Sequence, residues 1–124
     1  MSQDIVSDAL NQIMNAKRSG KSEVTLNKHS KLLLNILVIA KEHGYIEEFI
    51  VEDRVLIVKF KKINKCQSIK PRFYVQNEDI DKYVRRYLPG RGFGILIIST
   101  NQGLITNQEA DEKKIGGSLI AYFY

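Results

Sequence analysis

Ile95-Leu96-Ile97-Ile98-Ser99-Thr100-Asn101-Gln102-Gly103-Leu104-Ile105-Thr106 is the stretch on which the fold turns. Its four opening apolar residues, three of them β-branched, predict a short buried strand. Ser99 to Gly103 then predicts a turn, because Asn and Gly suit turns and short hydroxyls are tolerated there. Leu104 to Thr106 predicts the returning strand. Downstream, Asn107 can cap a short helix through Lys114, and Gly116-Gly117 leads into a final strand, Ser118 to Phe123. Upstream, Asn77 can cap a helix whose Ile80, Tyr83, Val84, Tyr87 and Leu88 share one face, ended by Pro89-Gly90. This half reads as a mixed α+β lobe with a small sheet.

The other half has its own pattern. Ile5, Ala9, Leu10, Ile13 and Met14 recur at helical spacing, so a helix is expected from Asp4 to about Lys17, with Gly20 beyond its end. A strand, Glu23 to Leu26, follows. Ser30 can cap a second helix running to His43, with Gly44 after it; this helix is apolar nearly all round, which predicts cover on more than one side. Tyr45 to Val51 and Val55 to Lys61 are β-rich runs around Glu52-Asp53-Arg54, an expected hairpin. An extended piece, Ile63 to Ile69, ends at Pro71. The expected architecture is therefore α+β in two small lobes: an N-terminal α-β-α-β-β lobe over 1–63, a connecting segment over 64–72, and a C-terminal lobe over 73–124 carrying the polar turn.

The chain has 124 residues, 44% of them apolar and 27% charged, a folding composition. Nineteen Lys and Arg against 14 Asp and Glu leave a net charge of +5, which favours a polyanionic partner. The single cysteine, Cys66, cannot make an internal disulfide and fits a reducing compartment. Met1-Ser2-Gln3-Asp4 does not resemble a secretory signal, and Leu32 to Ala40 is too short for a membrane span. No membrane is expected, and the chain reads as intracellular.

Little points to catalysis or metal. His29, His43 and Cys66 lack ligand spacing, so no metal or other cofactor is expected. Gly90-Arg91-Gly92-Phe93-Gly94 precedes a strand instead of joining a strand to a helix, so it reads as a turn with Arg91 free to touch a phosphate. Glu78, Asp79 and Asp81, like Glu109, Asp111 and Glu112, are explained by helix starts. Ser99 lies in no nucleophile elbow. An enzyme is not expected, nor a small-molecule substrate.

The cations say more. From Arg54 to Asn77 there are seven (Arg54, Lys59, Lys61, Lys62, Lys65, Lys70, Arg72) and no acid, with Phe60, Phe73 and Tyr74 interleaved. Lys17, Arg18, Lys21, Lys28 and Lys31 form a second group, and Arg85, Arg86 and Arg91 a third. Any one of them is most simply a solvated side chain; all three groups together favour nucleic acid. Hydroxyls and amides from Ser99 to Gln102 can donate and accept, so they suit base edges and 2′-hydroxyls in the shallow minor groove of RNA. A basic protein-interaction module meeting acidic partners, without RNA readout, is the alternative.

Ser99-Thr100-Asn101-Gln102-Gly103 resembles the Ser-Thr-Ser-x-Gly signature of the small-subunit ribosomal protein eight family. Glu109-Ala110, Ile115-Gly116-Gly117, Asp8-Ala9-Leu10-Asn11, Ser30-Lys31-Leu32, Gly44-Tyr45-Ile46, Pro71-Arg72-Phe73 and Tyr87-Leu88-Pro89 match it in order, in the manner of its archaeal and eukaryotic branch. The resemblance implies a structural constituent of the cytoplasmic ribosome. It would bind the central domain of small-subunit ribosomal RNA, support platform assembly and translation, and touch neighbouring small-subunit proteins. It further implies that Ser99, Thr100, Asn101 and Gly103 meet an irregular RNA helix and that Gly116, Gly117 and Ser118 form a turn approaching RNA. Asn15, Ser30 and Lys31 match positions facing RNA from the N-terminal lobe, with Lys17, Arg18, Lys62, Lys65, Arg72 and Arg91 supplying cations. Asn101 stands where the signature usually has a second Ser, and Ser118 where a charged residue is frequent.

Overall fold

The computed structural model describes residues 4–70, 72–90 and 92–124. It is an α+β fold that divides into two compact units, Met1–Gln67 and Ser68–Tyr124.

In the first unit, α1 (Ile5–Arg18) begins where the Asp4 carboxylate accepts the Ser7 N–H at 3.1 Å. Its Val6, Ala9, Leu10 and Ile13 are buried. After Gly20, which takes a φ of +79°, β1 (Glu23–Leu26) leads to α2 (Lys31–Glu42). The Ser30 hydroxyl caps α2 by accepting the Leu33 N–H at 3.2 Å, satisfying one of the free donors of a first helical turn. Helix α2 packs against both β2 and α1, the cover on more than one side that its apolar run predicts. Leu33, Ile36, Leu37 and Ala40 are buried, but Val38 is 43% exposed.

The hairpin β2 (Ile46–Glu52) and β3 (Val55–Phe60) turns through Asp53 at a φ of +51°. The sheet order is β1-β3-β2, all antiparallel. Strand alternation sends Leu26, Leu56 and Val58 into the core. Only Cys66–Ser68 of the expected extended piece is strand, β4.

The second unit opens with β5 (Tyr74–Val75), a 3₁₀ turn over Asn77–Asp79, and α3 (Ile80–Tyr87). Then come β6 (Ile95–Thr100), β7 (Gly103–Thr106), α4 (Asn107–Lys113) and β8 (Gly117–Phe123). Within this unit β6 pairs with β7 on one side and with β8 on the other, and β5 pairs with the start of β8. The β6–β8 register slips between Ile97 and Ile98, leaving Ile120 as the extra residue of a bulge. The core is built from Leu96, Ile98, Ile105 and Leu119 of the sheet against Ile80, Val84 and Ala110 of the helices.

Two expected caps are corrected. Asn77 does not cap α3; its side-chain amide donates to the carbonyls of Ala110 (2.9 Å) and Ile115 (3.2 Å). The amide spends both N–H donors there, a use that a cap, whose side chain only accepts, does not make. Asn107 does not cap α4 either. Thr106 does, its hydroxyl accepting the Glu109 N–H at 3.3 Å, while Asn107 Oδ1 accepts the Leu96 N–H at 3.1 Å. Helix α4 ends at Lys113, one residue earlier than expected, because Lys114 turns left-handed (φ +57°).

Candidate nucleic-acid interface

The turn expected from Ser99 to Gly103 narrows to Asn101 and Gln102, exposed at the tip of the β6–β7 hairpin, because Ser99 and Thr100 pair as the end of β6 with Leu104 and Gly103 of β7. Thr100 holds the tip in shape. Its hydroxyl donates to the Gly103 carbonyl at 2.8 Å and accepts the Gln102 N–H at 3.0 Å. A hydroxyl has one proton and two lone pairs, so Thr100 has no donor left and one acceptor site. The expected reading of bases by that hydroxyl narrows accordingly. Gly103 closes the tip at a φ of +107°, where a side chain would be strained although space is open.

Register carries the site across the sheet. Tyr74 of β5 faces Ser118 of β8, Ser118 faces Ser99 of β6, and Ser99 faces Leu104 of β7. Opposed residues on paired strands share a face. Phe73 stacks at a tilt on Tyr83 of α3 (5.1 Å between centroids), and Val75, Ile98, Ile105 and Leu119 belong to the helix-side core. The row Tyr74–Ser118–Ser99–Leu104 therefore lies on the opposite face. The hydroxyls of Ser99 and Ser118 have no hydrogen-bond partner among the described residues and are half-buried, while Tyr74 is 67% exposed. An exposed ring beside two free hydroxyls can stack on a base and bond its edge.

Gly116 and Gly117 are required by packing. A Cβ on Gly117 would collide with the Ser99 carbonyl oxygen and come within 2.8 Å of Ile98 Cγ2 and 2.9 Å of Thr100 Cγ2. One on Gly116 would collide with the Val75 carbonyl oxygen. Gly117 is buried. The pair lets β8 approach β5 and β6.

In the first unit, Asn15 and Arg18 of α1 line a cavity of about 220 Å³ together with Lys65 and Cys66. Lys17 is exposed on α1 and its charge acts on the Cys66 thiol. Burial nevertheless dominates and pushes that thiol up to about 12. The Cys66 N–H donates to Met14 Sδ at 3.4 Å. Cys66 is thus a packed residue, not a reactive one. Ser30 and Lys31 lie at the start of α2, and Lys62 is exposed after β3. Arg72 is exposed just before β5 in the second unit. Arg91 lies outside the described residues. Among the described residues no group of His, Cys, Asp and Glu could hold a metal, and no helix is long and apolar enough to cross a membrane.

Sequence comparison matches residues 4–124 to the family described as Ribosomal protein S8. The chain belongs to that family. Among curated S8 relatives, the small ribosomal subunit protein uS8 of Thermoplasma acidophilum is 43% identical, with the whole of both chains covered. That of Nanoarchaeum equitans is 41% identical over the same full coverage. The uS8A protein of Schizosaccharomyces pombe is 37% identical over 98% of each chain. The resemblance read from the Ser99–Gly103 signature is thus established across the chain, in archaeal and eukaryotic relatives alike. Tyr74, noted from sequence only as an aromatic among cations, is the exposed ring beside Ser118 and Ser99. Its signal was weak, a two-residue strand within a cationic segment.

Proposed function

We propose that this chain is a structural constituent of the small ribosomal subunit that binds the central domain of its RNA, without turnover of any substrate. The observation that carries this reading is the Tyr74–Ser118–Ser99 row beside a tip held by Thr100 and Gly103. In this reading Tyr74 stacks on an unpaired base, Ser99 and Ser118 bond base edges or 2′-hydroxyls, and Asn101 reaches the adjoining groove. Arg72 lies close in sequence to Tyr74 and adds phosphate contact, as Arg91 would. Asn15, Lys17, Arg18, Lys65, Ser30, Lys31 and Lys62 contribute on the first unit, chiefly by displacing counterions. Gly116 and Gly117 act by shaping the platform. The relatives, all named small ribosomal subunit proteins, support the placement in the cytoplasmic ribosome, where platform assembly and translation are its setting.

The test is binding to a central-domain fragment of small-subunit ribosomal RNA against a hairpin of equal length. Tyr74→Ala and Ser99→Ala should each weaken the cognate fragment by about tenfold, the lower part of the range for a lost stack or base contact, and leave the hairpin unchanged. Lys62→Ala should weaken both alike. Equal losses on both RNAs for Tyr74→Ala and Ser99→Ala would remove the row as reader.

A further inference from the structure

The sheet of the first unit has a second face. On the side away from Leu26, Leu56 and Val58, pairing puts Thr25, Ile57 and Ile50 in one row and Glu23, Lys59 and Glu48 in the next. None of these six is buried, and Ile50 is 39% exposed. Val55, opposite Glu52 at the hairpin end, extends the apolar strip. Exposed Ile beside Ile is an unusual use of a sheet face, which is ordinarily polar when it meets water.

The charge on this face is opposite to that of the chain. Lys59 Nζ lies 3.0 Å from Glu48 Oε1 and is also influenced by Glu23 and Glu47. One ammonium among three carboxylates leaves a local charge of −2, in a chain whose net charge is +5. A polyanion is repelled here. So is a second copy of this chain, which would set −2 against −2 across a two-fold contact. What fits is an apolar strip for aliphatic side chains, bordered by carboxylates for cationic ones.

We propose that this open sheet face docks a lysine- and arginine-rich, extended segment of a protein neighbour. RNA and protein partners are then sorted by charge onto different surfaces of one small chain. Screening makes this docking weaken with salt.

The free chain is titrated with a labelled peptide of alternating Lys and Val, and with one of alternating Glu and Val. Amide shifts should move on β1, β2 and β3 with the cationic peptide alone. Ile50→Asp and Glu48→Lys should each abolish them while the amide spectrum elsewhere stays native. No shift, shifts centred elsewhere, or an equal response to the acidic peptide would overturn the proposal. A second measurement assembles the chain carrying Ile50→Cys into small subunits and follows maleimide labelling. A face nine-tenths occupied labels about tenfold more slowly than in the free chain. Carbodiimide, which joins carboxylates to amines, should link Glu47 or Glu48 to a lysine of another protein. Labelling as fast as in the free chain, or protection without that link, would refute it. RNA binding by the isolated Ile50→Asp variant should stay normal, so that failure here is distinct from failure of the RNA reading.

Discussion

A methyl group at Gly117 would meet the Ser99 carbonyl and two methyls within 3 Å. At Gly20 it would meet open space but sit on a left-handed backbone. Gly117→Ala should therefore cost at least 1–3 kcal/mol by overpacking, and Gly20→Ala about 1 kcal/mol by backbone strain, as read by urea unfolding. Gly117→Ala should also lose cognate RNA affinity, because the platform moves with β8. Thr100 separates shape from readout. Thr100→Ser keeps both turn hydrogen bonds and should bind RNA nearly as before. Thr100→Val keeps the branched shape, loses both bonds, and should lower stability by roughly 1 kcal/mol along with cognate binding. Cys66 adds a pH dependence. Its folded thiol ionises at about 12, against about 9 for an ordinary one. Between these values the unfolded chain has lost a proton that the folded chain keeps, so stability falls as pH rises. The slope approaches 1.4 kcal/mol per pH unit at order of magnitude. That slope should appear in the difference between the unmodified chain and Cys66→Ala, which lacks the thiol, followed by urea midpoints from neutral pH upward.

At the scale of elements, the helices are tied at their ends by single polar side chains. Ser30→Ala removes the α2 cap and should cost about 1 kcal/mol, whereas Ser30→Asp, which still accepts the Leu33 N–H, should be near neutral. Asn77→Asp is the harsher change at α4. A carboxylate cannot donate to the Ala110 and Ile115 carbonyls and repels them, so it should lose more stability than Asn77→Ala, by thermal unfolding. Helix and strand positions were legible along the chain because period and turn residues are local signals. The partners of Asn77 and Asn107 were not, since an Asn before a helix suits a cap as well as a tertiary clamp. Competing acceptors decided it. Thr106, at the end of β7, was already placed to cap α4, which left the Asn107 carboxamide to bond Leu96.

For the whole molecule, the surplus of cations predicts a steep salt dependence. If about four phosphates are neutralised, affinity for RNA should fall roughly a hundredfold between 50 and 200 mM salt by the duplex-DNA slope, measured as log Kd against log salt. The charge is not spread evenly. The acidic sheet face around Lys59 lies on the first unit, and the free hydroxyl row on the second. Composition counts both signs together, so it could suggest a polyanion but could not show that one surface excludes it.

The order of residues alone determined the α+β class, the approximate boundaries of most elements, a hairpin between Ile98 and Leu104, and the family. Each depends on neighbours a few positions apart or on a colinear pattern. Tertiary structure alone decided that Tyr74, Ser118 and Ser99 share a row, that Thr100 spends its proton on Gly103, and that Gly117 is a packing necessity. Strand register joins residues that lie 19 to 44 positions apart in the chain, and no local preference encodes which backbone will pass within a methyl radius of another.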